Sequence, residues 1–313
     1  MSNEATGRLE AVDKAEFDKV VPEGTQIQTL ASGFGFLEGP VWTNRDGGYL
    51  IFSDIPRHEL KKWSADGEVT NFRAPSSNNG NTRDAQGRLL TAEHDGRKVS
   101  LTESDGTVRT LAERYQGKRL NSPNDLVVKS DGTVWFTDPS YGLPNRTEGK
   151  ELDGNYAFRL DPQSGGLTSV VEDFDMPNGL CFSPDEKLLY IADSGKPHHI
   201  RVFDVREDGA LANDRVFCTL DKGIPDGIRC DVDGRVWSSA GDGIHVFSPS
   251  GALLGKIITP DAPGRFDKSK VGPEVPANLC FGGADWETLY ITACTSLYSI
   301  RVGVRGAGVL WGE

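Results

Sequence analysis

The chain has 313 residues, a formal charge of −12 and 37% apolar side chains. Its acidity argues against a nucleic-acid partner, whose phosphates it would repel, and no run approaches the ~18 apolar residues that a membrane span needs. Five cysteines, an odd number without a CxxC pair, argue against a disulfide framework or a zinc knuckle.

The N-terminus, MSNEATGRLEAVDKAEFDKV, is charged and has no apolar h-region, so a secretory signal is not visible and a cytoplasmic protein is expected. Residues 1–23 read as an N-terminal extension. Leu9, Val12, Ala15, Phe17 and Val20 give a loose helical spacing that predicts a short helix or an arm.

From Thr25 the pattern is β, and one phrase recurs six times: a polar leader, an apolar strand, a turn of Asp-Gly type and a second apolar strand. The second strands are YLIFSDI from Tyr49, RLLTAEH from Arg88, TVWFTDP from Thr133, LLYIADS from Leu188, RVWSSAG from Arg235 and TLYITAC from Thr288; they start 39, 45, 55, 47 and 53 residues apart. Such a period, with several strands per repeat, predicts an all-β, six-bladed β-propeller of four-stranded blades over residues 24–313. Gly 37 and Pro 17 supply the turns, and a modest apolar content suffices where the core lies in thin layers between blades. Gln26–Ala31 has no partner in its own blade and is expected to pair with the final blade after Tyr298–Val304, closing the ring. The long segments 139–155 and 258–276 are expected to overhang one face of the disc.

The six leaders are Glu38, Asn79, Asn124, Asn178, Asp226 and Asn278. Five lie seven residues before their turn, and Glu38 lies eight before. Blades are related by rotation about a central channel, so side chains in register at the start of the innermost strands should converge on one axis. Amide and carboxylate oxygens without His or Cys suit a hard cation, Ca²⁺ first, since it takes six to eight oxygens in flexible geometry; Mg²⁺, Mn²⁺, Zn²⁺ and Fe²⁺ stay open. Glu38 and Asp226 would balance the charge, and Asn124 and Asn178 would complete the cage.

Leu37-Glu38-Gly39-Pro40, Asn121-Ser122-Pro123-Asn124-Asp125, Met176-Pro177-Asn178-Gly179 and Ile224-Pro225-Asp226-Gly227 resemble, in this order, the motifs of the senescence-marker-protein/gluconolactonase (regucalcin-like) family. The resemblance covers roughly residues 25–302 and is nearest to its bacterial gluconolactonases. It implies a metal-dependent lactonase of sugar aldonolactones, with Glu38, Asn178 and Asp226 as metal ligands, Asn124 on metal or substrate, and Asp226 as general base. The regucalcin-like branch carries a substrate-binding Arg two residues before the equivalent of Asn124, and here that position is Ser122. Asn79, Asn81 and Asn121 are offered instead for hydroxyl contacts, with His94 and Tyr141 as further pocket candidates.

Opening a lactone requires a polarised carbonyl, a delivered water and a protonated ring alkoxide. A cation supplies the first and a carboxylate beside it the second. Cation binding lowers a carboxylate's basicity, so whether Asp226 takes the proton or only holds the ion stays open. The expected partner is a small-molecule lactone, with the chain a monomer or homodimer. A phosphotriesterase or other ester hydrolase, as in the similar diisopropyl fluorophosphatase, and a non-enzymatic scaffold around a structural ion remain as alternatives.

Overall fold

The computed structural model describes residues 7–263 and 271–308. Six antiparallel sheets form the blades of a β-propeller, each running outward from the channel. In blade 1 the strands are Leu37–Thr43, Tyr49–Asp54, Glu59–Ser64 and Val69–Arg73. The innermost strands of blades 2 to 6 are Asn78–Arg83, Leu126–Val128, Pro177–Phe182, Ile228–Cys230 and Pro276–Gly282. Alternation of burial along a strand is largely lost in the inner two strands, because both their faces are covered by neighbouring blades.

The core is divided accordingly. Trp135 and Trp237, both fully buried, meet Phe182 and Phe281 edge-to-face across neighbouring blades. Between blades 6 and 1, Trp42 stacks on Tyr290 with centroids 5.0 Å apart. The apolar layer between blades 1 and 2 is the thinnest, built on Ile51, Leu60 and Leu89.

Ring closure follows the expectation. Ile27–Ser32 pairs antiparallel with Ser296–Arg301 and becomes the outermost strand of blade 6. The extension contains the expected helix, Lys14–Val20, N-capped by Asp13. It also contains a strand, Arg8–Ala11, which pairs with Leu253–Ile258 as a fifth strand on the edge of blade 5. Phe17 and Val20 face inward onto blades 5 and 6. Segment 258–276 includes a short hairpin, Asp261–Pro263 with Val271–Pro273, and residues 264–270 lie outside the described residues.

Candidate active site

The leaders reach the channel because the β-ladder is interrupted at each of them. In blades 1, 2, 4 and 6 the pairing register shifts at Glu38/Val41, Asn78/Asn81, Pro177/Leu180 and Pro276/Asn278. In blades 3 and 5 the innermost strand starts only after the leader, at Leu126 and Ile228. A bulge re-aims the side chain at its position. Glycine follows four of the leaders, and the reason is close approach. At Gly179 a Cβ would lie 2.7 Å from Gly227 Cα, and at Gly80 it would lie 2.7 Å from Asp125 Cα, each on the next blade. The backbones of successive leaders are thereby joined: Gly80 N donates to Asn124 O at 2.7 Å and Gly179 N to Asp226 O at 3.0 Å.

Two further kinds of group hold the ring, the first in blades 1, 3 and 4 and the second in blades 1 and 3. Aspartates ending the second strands accept backbone N–H groups from the loop before the leader: Asp54 from Gly35 and Phe36, Asp138 from Asn121 and Ser122, and Asp193 from Asp175 and Met176. Hydroxyls one residue earlier pin the next blade's leader, with Ser53 Oγ donating to Asn79 O and Thr137 Oγ1 to Asn178 O, both at 2.7 Å. Neither group was singled out from sequence, although an Asp at the end of an apolar strand in SDI, TDP and ADS was visible there.

At the channel mouth the Glu38 carboxylate accepts through Oε2 from Gly39 N at 2.7 Å and from Asn278 Nδ2 at 3.0 Å. Burial raises its pKa, the Asn278 hydrogen bond opposes that rise, and the Asp125 charge adds to it. Asp226 is raised well above the ordinary carboxylate range, first by burial and then by the charges of Glu38 and Asp125, against a hydrogen bond from Asn178. Asn178 Nδ2 also donates to Ser194 Oγ at 2.9 Å, and Ser194 Oγ in turn donates to Pro225 O. The Asn178 nitrogen is therefore engaged, and its side-chain oxygen accepts no hydrogen bond among the described residues. Asn79 Oδ1 is buried without a partner among the described residues. The Asn124 main chain is fixed through Thr137 O and Gly80 N.

Two crowded carboxylates and amide oxygens without donors match the donor set of an oxygen-ligated dication. Among the described residues, no three His, Cys, Asp or Glu side chains gather as a metal cluster. The amides are thus integral to any cation site here.

Tyr141 lies beside this group. Burial pushes its phenol up to about 12, with the Asp226 charge adding to that and a hydrogen bond with Ser194 opposing it. Arg146 covers its ring at 5.1 Å. The backbone at Tyr141 is tied down by Ser122, whose Oγ donates to Pro139 O at 2.6 Å and accepts from Gly142 N at 2.9 Å. His94 lies against Gly142 and 3.4 Å from an Asp95 carboxylate oxygen, so it borders the same loop.

Two substrate candidates have their amide nitrogens engaged by neighbouring strands. Asn81 lies beyond the bulge, where its amide nitrogen donates to Gly39 O, Ser53 Oγ and Asn79 O and its oxygen accepts from Asn78. It lines a cavity on the opposite face of the disc. Asn121 is fully buried, with its amide nitrogen directed at Asp138 O and Gly154 O. The Asn81 amide serves the scaffold, whereas Asn121 keeps a buried Oδ1 without a partner among the described residues. Asp125, Ser194 and Arg229, which do belong to this neighbourhood, were not singled out from sequence; the visible sign for Arg229 was a lone cation in the apolar run Ile228-Arg229-Cys230.

The chain matches the SMP-30/Gluconolactonase/LRE-like region over residues 36–295. It is 32% identical to a gluconolactonase of Zymomonas mobilis over 92% of this chain and 85% of that one. A pentonolactonase of Haloferax volcanii is 28% identical over 82% of this chain and 80% of its own length. The solved structure of a gluconolactonase from Xanthomonas campestris superposes with a TM-score of 0.85 at 35% identity, covering 96% of each chain. A propeller with this ring of leaders, matched over most of its length, belongs to the SMP-30/gluconolactonase/LRE-like family and is an enzyme of its lactone-hydrolase class.

Proposed function

We propose that this protein hydrolyses sugar aldonolactones to aldonic acids in a cation-dependent reaction at the channel mouth. The observation that carries this reading is the grouping of Asp226 with Glu38 and Asn178, beside a buried Asn79 Oδ1 that has no partner among the described residues. Glu38, Asn178, Asp226 and Asn124 would hold one divalent cation, Ca²⁺ first, which when bound supplies Lewis-acid polarisation of the lactone carbonyl. Asp226 takes a proton from the attacking water as its oxygen bonds to the carbonyl carbon, the ring C–O bond then breaks, and Asp226 returns that proton to the leaving alkoxide. Asp226 suits that role because it keeps partial exposure at the mouth, whereas Glu38 is 4% exposed and bonded to Gly39 and Asn278. Asn79, Asn124 and Tyr141 are the hydroxyl contacts, with His94 at the border. Ser194 and Ser122 orient these groups without touching substrate. Five buried cysteines, none in a disulfide among the described residues, fit a reducing cytoplasm.

The test is hydrolysis of glucono-, galactono- and xylonolactone, an acylhomoserine lactone and a phosphotriester by chelator-stripped protein, with one metal restored at a time. Sugar-lactone turnover should return with a divalent ion, and Asp226→Asn should lower it by roughly 10²-fold or more with the fold intact. Full activity of the stripped protein, or of folded Asp226→Asn, would sink this reading.

A further inference from the structure

Beneath the leader ring lies a charged layer that the proposed reaction leaves unused. Arg229, on the innermost strand of blade 5, places Nη1 3.2 Å from Asp125 Oδ2 of blade 3 and 2.7 Å from Ile228 O. The Asp125 side chain is 1% exposed, and its other oxygen accepts from Leu126 N at 2.9 Å. From blade 6, Asn278 Nδ2 reaches Asp125 Oδ2 at 3.4 Å and Glu38 Oε2 at 3.0 Å. Asn278 cannot turn over freely, because its Oδ1 accepts from Leu279 N at 2.8 Å. Blades 1, 3, 5 and 6 are joined by one run of charged and amide groups that begins at Arg229 and ends on Glu38. On its other side Arg229 borders the apolar cavity of the opposite face, with Trp42, Val127, Phe182, Cys230 and Cys280.

Charge counting shows what such a layer does. Asn278 Nδ2 links Glu38 to Asp125, and the charges of both act on Asp226; a bound cation would hold all three carboxylates ionised. Three carboxylates against one guanidinium leave a formal charge of −2, which a single dication balances. Without Arg229 the same space would carry −3. The Arg229 side chain is only 20% exposed beside its buried partner, so bulk water screens this interaction weakly.

We propose that Arg229 is a positioning residue that acts through Asp125 and Asn278 on Glu38, setting the ring's charge to match one divalent cation. This rests on the cation reading of the ring given above.

The experiment uses the full chain, stripped of metal, and titrates it with Ca²⁺ by calorimetry and with Tb³⁺ by sensitised luminescence. Wild type should bind one Ca²⁺. In Arg229→Met the preference for Tb³⁺ over Ca²⁺ should rise about tenfold or more, since a trivalent ion gains more from the extra negative charge. Arg229→Lys should keep the wild-type ratio. A merely structural arginine would weaken both ions alike, so an unchanged ratio in folded Arg229→Met overturns the proposal. If Arg229→Met fails to fold, Asp125→Asn decides the matter: its ratio should fall below wild type, and an unchanged ratio overturns the proposal. Wild type that binds neither ion overturns the cation reading, and this one with it, a result distinct from calcium binding with an unmoved ratio.

Discussion

At the scale of single residues, the site depends on what each leader is allowed to do by the residue after it. Gly179 is the clearest case, since Asp226 O, Gly227 Cα and Ile228 N crowd the space a Cβ would fill. Gly179→Ala should lower stability by about 2 kcal/mol, as overpacking does in a closed site, and displace Asp226 enough to reduce kcat. Urea unfolding of the purified variant measures the first and lactone turnover the second; wild-type values for both would refute the account. The leaders themselves were legible because an amide or carboxylate at a fixed distance from a turn is a one-dimensional pattern. Asn81 and Asn121 both stand near leaders in the chain, but a bulge and a buried carbonyl partner decide where their amide nitrogens point.

Among the elements, the blade is the unit that sequence reveals and the interface between blades is the unit that confers stability. The N-terminal helix shows the difference. Its apolar spacing predicts a helix or an arm, yet Phe17 is 1% exposed and lies against Gly255, where a Cβ would meet the ring within 2.6 Å of Cγ. Strand Arg8–Ala11 meanwhile covers the edge of blade 5, which would otherwise present open backbone groups. The extension is thus bound to the propeller by both packing and ladder hydrogen bonds. Phe17→Ala should cost roughly 3 kcal/mol, the usual penalty for emptying an aromatic site, measured by chemical denaturation. A change below about 0.5 kcal/mol, the range of ordinary surface substitutions, would show that the helix is only loosely held.

For the whole molecule, six blades concentrate carboxylates at one axis, and stability becomes tied to pH and to cations. Glu38 sits near 7 when folded against an ordinary 4.5, and Asp226 is displaced in the same direction. Between those values the folded chain retains a proton that the unfolded chain has lost, so stability falls as pH rises through the window. A ligand that binds only the folded state offsets this loss. Metal-stripped protein should therefore show a Tm that declines from about pH 5 to about pH 7, and saturating Ca²⁺ should abolish the decline. A flat profile without metal, tested in calorimetric scans, would contradict this linkage.

The repeat, the blade count, the closing strand and the register of the leaders were determined by the sequence alone, because each is a matter of period and spacing along the chain. Only the tertiary structure decided how the ring is wired. Asn278 meets Glu38 across 240 residues and Arg229 meets Asp125 across 104. Such partners are created by rotation of blades about the channel, and no local spacing encodes which of several oxygens and amides will share a buried space once those blades close.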